Sequence, residues 1–226
     1  MHYMYLVPIC LALAAVFIFV EKLGHYLVAD VIKGVASAFF VLLGFLGTLS
    51  GIAPEVARLI LLGLVLGAVA DVLLNLRYVY EGSKAQLAFL AGILVFLAGH
   101  LAYLGAVVPF CPALPFVLVV GVILTAVLMY WIFGRIEAKM VFKVFGVFYV
   151  GAIVMLNCVA GCVLAASPCF RWFVFLTGTL LFLVSDVILI INNFGPKASF
   201  TLRVSNLMLY YVGQLLIALS LQLPLP

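Results

Sequence analysis

The stretch "LGLVLGAVADVLLNLRY", residues 62–78, places one carboxylate, Asp71, inside an apolar run long enough for a membrane helix. The rest of the chain is of the same kind. Of 226 residues, 69% are hydrophobic and 8% charged, and the mean hydropathy of +1.45 lies far outside the range of soluble globular chains. A helix that crosses a bilayer needs about 20 mostly apolar residues. Eight such runs can be counted, at 4–20, 34–53, 56–76, 86–107, 114–133, 141–165, 170–192 and 201–222. Their connections are short and none is of low complexity. The expected fold is an all-α membrane protein, with eight transmembrane helices in one bundle forming a single domain over 1–226.

The segment before the first run carries no Lys or Arg, and the first basic residue, Lys22, follows it, so the run reads as a retained helix. Lys22, Lys33, Arg77, Lys84, Arg135, Lys139, Lys143, Lys197 and Arg203 fall in odd-numbered connections, against Arg58 and Arg171 in even ones. The positive-inside bias then puts the odd loops in the cytoplasm and both termini on the non-cytoplasmic side. The net charge of +4 reflects that asymmetry. No basic cluster alternates with aromatics on a soluble face, which excludes a nucleic-acid partner. The five cysteines follow no zinc or redox spacing. Cys158 and Cys162, one turn apart, read as small packing residues, whereas Cys111 and Cys169 are both placed where oxidation to a disulfide is open to them.

Of eighteen charged side chains, only Asp71 and Asp186 are expected deep in helices; the second lies in "LLFLVSDVILII", residues 180–191. An aspartate at mid-membrane costs about 2.5–3.5 kcal/mol on insertion scales. An intramembrane hydrogen bond returns about 0.6 kcal/mol on average, so two such residues point to function rather than packing. Asp71 is six residues before Arg77 and Asp186 seven before Asn193, which sets both at one level, about 9–11 Å from the cytoplasmic end. His100 follows Asp71 by 29 residues and Gln214 follows Asp186 by 28, a spacing that suggests parallel repeats over 1–107 and 114–226. Asn206, Tyr210 and Gln214 form one stripe, Tyr149 and Asn157 share a face, and His100 and Tyr103 are one turn apart. Together these residues outline an elongated polar chamber. Two neighbouring carboxyls in a low dielectric tend to hold one shared proton, which supplies one acid and one base for hydrolysis.

"GAVADVLLNL" (67–76), "FLAGHLAY" (96–103), "LFLVSDVILIINNF" (181–194) and "LYYVGQLLIALS" (209–220), in that order, resemble the YhhN-like lysoplasmalogenase family of eight-helix membrane proteins. One departure is Ala70, where the family pattern leads us to expect Gly. The resemblance implies hydrolysis of the vinyl ether bond of lysoplasmalogens to a fatty aldehyde and a glycerophospho-base. Asp71 and Asp186 are then the acid and base, in an order the sequence leaves open, with His100 orienting a carboxyl or the water. Asn75, Tyr103, Tyr149, Asn157, Asn193, Tyr210, Tyr211 and Gln214 are the candidates for lining the substrate site. The expected partners are a lysophospholipid substrate and membrane lipids, with no cofactor and no metal.

Three rival readings are open. An intramembrane aspartyl protease shares two membrane Asp residues and a "PAL" at Pro112–Leu114, but its Tyr-Asp and Gly-x-Gly-Asp patterns are missing. A metallohydrolase has only His100 and the two Asp as plausible ligands, since His2 and His25 are expected near the surface. A polytopic transporter or proton-coupled carrier of a small amphiphile would also use midplane acids and repeats.

Overall fold

A computed structural model describes residues 2–49 and 53–224. Among these residues there is no strand, and eight helices are long and apolar enough to cross a membrane. They are α1 (Leu6–Lys22), α2 (Tyr26–Thr48), α3 (Pro54–Leu76), α4 (Gly82–Val107), α5 (Leu114–Phe133), α6 (Met140–Ala166), α7 (Phe170–Phe194) and α8 (Phe200–Ser220). Short 3-10 turns at His2–Tyr5 and Val108–Phe110 precede α1 and follow α4. Helices are what lipid demands, because no water is present there to pair a free backbone N–H or C=O. Their outward faces are apolar: Phe116, Tyr130, Met140 and Phe170 are each more than half exposed in the isolated chain. The chain is a multi-pass membrane protein.

Seven of the expected spans fall within a few residues of the observed helices. The second is corrected: α2 starts at Tyr26, eight residues before the expected 34, and the last residues of that span, 50–52, lie outside the described residues, as does the side chain of His2. The early start follows from how α1 ends. Gly24 adopts φ +83° and closes a Schellman turn, in which its own N–H donates to the Glu21 carbonyl (3.0 Å) and that of His25 to the Val20 carbonyl (3.3 Å). The chain is thereby free to begin α2 at once. Asp30 and Lys33 thus belong inside a helix, where both are buried. Lys143 and Arg203 likewise lie in α6 and α8 and not in connections. The expectation that only Asp71 and Asp186 are charges deep inside helices does not hold, since Lys33 lies against Asp71 at the same depth.

Sequential helices pack on one another from α1 to α4 and again from α5 to α8; the two sets meet where α4 lies on α6 and α2 on α8, with α1 also touching α8. One apolar core draws residues from all eight helices. The α7–α8 pair is held closest at Gly178 and Gly213, where a Cβ on either would stand 2.8 Å from the other's carbonyl oxygen. That approach lets Asn206 Nδ2 reach the Ser185 carbonyl (2.8 Å) and hydroxyl (3.2 Å), which fixes α8 beside Asp186.

All five cysteines are free thiols. The bridge left open between Cys111 and Cys169 is not formed; burial, and then the neighbouring Cys162 thiol, push the Cys111 thiol up. The turn after α4 packs on α6, where Cys162 lies, and its Phe110 ring also meets Trp172 near the start of α7, with centroids 5.4 Å apart.

Candidate functional site

Asp71 is buried and surrounded by donors. Lys33 Nζ lies 3.1 Å from its Oδ1 and also donates to its backbone carbonyl at 3.1 Å. Ser37 and Tyr210 hydroxyls donate to Oδ2 at 2.6 and 2.7 Å. Lys33 and Ser37 are one turn apart on α2, so a single helical face delivers both the cation and a hydroxyl. Behind Tyr210, Gln214 Nε2 donates to its oxygen (3.3 Å), and Tyr103 in turn donates to Gln214 Oε1 (2.9 Å). Every donor in this row points toward Asp71, as an ionised, acceptor-only carboxylate requires. Gly67 makes room for the row, since a Cβ there would stand 2.7 Å from Gln214 Nε2. Tyr211 closes the other side, its hydroxyl 3.3 Å from both Ser37 Oγ and the Lys33 carbonyl.

Asp186 has fewer partners. Tyr149 donates to its Oδ2 at 2.8 Å, and Oδ1 has no partner among the described residues. His100 Nε2 stands 3.8 Å from Oδ2, too long for a hydrogen bond. Both imidazole nitrogens are buried without a partner, while the ring packs edge-on to Phe182 with centroids 4.7 Å apart.

Both carboxyl groups line one buried polar cavity of about 30 Å³, together with Lys33, Asn75, Asn206 and Tyr210. Such a space is large enough for water, which needs about 10–15 Å³. An apolar cavity of about 50 Å³ adjoins it, with Leu74, Phe96 and Leu189 as common wall; Tyr149 lines the apolar side and Asn193 its mouth. Met129 and Phe133 continue this apolar space into an open groove on the outer face of α4, α5 and α6. At the mouth, the rings of Phe89, Phe142 and Phe194 close on one another with centroids 5.5–6.0 Å apart.

A second polar layer lies toward the end bearing Arg77. Arg203 makes a two-point pair with Glu21 (3.0 and 2.8 Å) and reaches Asn75 Oδ1 at 3.2 Å. Arg77 Nη2 donates to Asn193 Oδ1 (3.0 Å) and the Tyr78 hydroxyl (2.6 Å). Burial lowers the Arg77 pKa below the ordinary guanidinium range.

The expected residues thus divide. Asn75, Asp71, Asp186 and Tyr210 line the polar cavity and Tyr149 and Asn193 the apolar one, whereas His100, Tyr103, Tyr211 and Gln214 stand behind these walls. Asn157 lines neither: its amide is spent on Thr179 of α7, with Oδ1 accepting at 2.9 Å, and on the Ile153 carbonyl. Lys33, Ser37 and Arg77 belong to the site and were not anticipated. For Lys33 and Ser37 the signal in the sequence is the Asp30–Lys33–Ser37 spacing, which places those three on successive turns of one helix; no such spacing marks Arg77. Among the described residues no three His, Cys, Asp or Glu side chains converge as a metal-ligand set.

The model of the YhhN family matches residues 28–221, a range that contains every one of these site residues except Glu21. Searches of curated proteins and of solved structures returned no match.

Proposed function

Since the chain belongs to the YhhN family, we propose that it is a lysoplasmalogenase-like membrane hydrolase, cleaving the vinyl ether bond of lysoplasmalogens to a fatty aldehyde and a glycerophospho-base. The observation that carries this reading is the pair of carboxyl groups, from α3 and α7, on one water-sized polar cavity that shares a wall with an apolar one. A lysolipid is divided in the same way, into a polar glycerol unit and a hydrocarbon tail.

Hydrolysis of a vinyl ether begins with proton transfer to the alkene carbon, which leaves an oxocarbenium ion. Asp186 is the acid in this scheme. No Lys or Arg pairs with it, Tyr149 occupies Oδ2, and Oδ1 is left to present a proton to the cavity. Asp71, held as a carboxylate by Lys33 and two hydroxyls, supplies the fixed negative charge that stabilises the cation. Asp186, now deprotonated, takes a proton from the attacking water and becomes the acid again. It then protonates the leaving glycerol oxygen while the hemiacetal hydroxyl returns a proton to it. The sum is one water consumed and one aldehyde and one alcohol released. His100 positions Asp186 by packing, and Tyr103, Tyr211 and Gln214 hold the Asp71 side in place. The tail lies in the apolar cavity and leaves along the outer groove, past Met129 and Phe133.

Two further features belong to this reading. The end bearing Lys22, Arg77, Lys84, Arg135, Lys139 and Lys197 faces the cytoplasm, with both termini opposite. The halves 1–107 and 114–226 are parallel repeats; in support, each helix contact in the first set has a counterpart four helices later, α4 on α6 corresponding to α8 on α2.

The test is to incubate purified protein with vinyl-ether, alkyl-ether and ester lysolipids and to measure free aldehyde. Only the first should react. Asp186→Asn keeps an acceptor for Tyr149 and should abolish release with the fold intact; a wild-type rate from this variant would remove Asp186 from the mechanism. A proton-coupled carrier, the alternative, yields no aldehyde from the wild-type protein.

A further inference from the structure

The three cations around the site are not equally partnered. Lys33 is matched by Asp71 and Arg203 by Glu21, both as contact pairs. Arg77 has no carboxylate within 4 Å among the described residues. Arg77 is half-buried, so part of its hydration is lost and an anion beside it would offset that cost. Its Nη2 is used, but Nε is buried without a partner, and Nη1 likewise takes no hydrogen bond. Two amide groups beside it are in the same condition. Asn75, 1% exposed, gives its Oδ1 to Arg203 and leaves Nδ2 unpaired; Asn193 gives its Oδ1 to Arg77 and leaves Nδ2 unpaired. The vacancies are all N–H donors, and both carbonyl oxygens that would compete for a cation are already turned away.

Arg77 also occupies a junction. It lines the polar cavity of the two acids and, together with Asn193, an open surface groove of about 320 Å³ between the ends of α3, α4, α6 and α7. Asn193 lines that groove and the apolar cavity. The guanidinium carbon lies 4.6 and 4.7 Å from the centroids of the Tyr78 and Phe89 rings, two cation–π contacts that restrict its orientation. Asp71 stands six residues, about 9 Å of helix rise, above it.

We propose that Arg77, with the free amide hydrogens of Asn75 and Asn193, is the binding site for the phosphodiester anion of a lysophospholipid. This rests on the hydrolase reading for its substrate and makes the phosphate the group that sets which vinyl ether is accepted. With its phosphate fixed here and its tail in the apolar cavity, a lysolipid carries its sn-1 linkage past Asp71 and Asp186. A planar fork with flanking amides suits a phosphate's several acceptor oxygens.

The experiment uses the full chain and two probes that resist hydrolysis: a 1-O-alkyl lysophosphatidylcholine and the 1-O-alkylglycerol with the same tail. Wild-type protein should bind the phosphate-bearing probe roughly tenfold or more tightly, the scale of a charge-assisted contact. Arg77→Gln should bring the two probes within about threefold and Arg77→Lys should restore part of the difference, whereas Arg58→Gln, an exposed change in α3, should leave it intact. Equal binding of both probes by the wild type overturns the proposal without any variant, as does an unchanged ratio in a folded Arg77→Gln. Displacement of the probe by diacyl phosphatidylcholine at similar concentration also overturns it, since the site would then be one for bulk lipid. The two readings separate cleanly. Preference for phosphate with no aldehyde from a lysoplasmalogen sinks the hydrolase and keeps the anion site, whereas cleavage of 1-alkenylglycerol and lysoplasmalogen at equal KM does the reverse.

Discussion

A charge inside a membrane helix must be answered by other residues, and Asp71 shows how many it takes: one ammonium, two hydroxyls and an amide row behind one of them. The pair is asymmetric in its consequences. Removing one member of a buried ion pair costs about 3–5 kcal/mol, because the other is left charged in a low dielectric, whereas removing both is often neutral. Lys33→Met should therefore lower the melting temperature in detergent by far more than the double variant Lys33→Met with Asp71→Asn. The double variant should melt near wild type yet release no aldehyde; equal melting of the single and double variants would mean that the two groups are not coupled. Asp71 and Asp186 were legible from sequence because a carboxylate in an apolar run is an energetic anomaly. Lys33 was not. An apolar count discounts Asp30 and Lys33 separately and pushes the helix start past both, although Lys33 is buried only because it meets Asp71 of another helix.

At the scale of elements, the helices themselves could be read from length and hydropathy, and the ends of α3, α5, α6 and α7 lie within two residues of expectation. Which helix packs on which could not. Lipid-facing and protein-facing surfaces are equally apolar, so partner choice rests on small residues and on a few polar contacts distributed along the chain. The α7–α8 contact at Gly178 and Gly213 is of this kind. Gly213→Ala should force these helices apart, lengthen the Asn206–Ser185 hydrogen bonds and destabilise the fold by about 1–3 kcal/mol, the usual cost of overpacking. Thermal melting measures it, and Gly161→Ala, whose Cβ meets nothing within 4 Å, is the control. A melting point equally lowered in both variants would point to a helix-wide effect and not to this contact.

For the whole molecule, composition alone declared a membrane protein, and the eight-helix count followed. The polar and apolar cavities were only partly foreseen: the stripe on α8 was visible, but its separation into a cavity wall at Tyr210 and a supporting layer at Gln214 depends on the approach of α3 at Gly67. The distribution of charge carries the prediction at this scale. With the basic end in the cytoplasm, a reporter that fluoresces only in the cytoplasm should be dark when fused after residue 226 and bright when inserted beside Lys197; the opposite pattern reverses the orientation. Arg58 and Arg171, alone at the other end, should not alter this result when neutralised singly.

The row Tyr103, Gln214, Tyr210, Asp71 has one link unlike the rest. A hydroxyl passes a hydrogen ion onward by accepting one and releasing another, but the side-chain amide of Gln214 neither gains nor gives one up under ordinary conditions. The row is consequently an insulator laid where a wire would be dangerous. A proton reaching Asp71 must therefore come by way of the cavity, and not along this row from Tyr103.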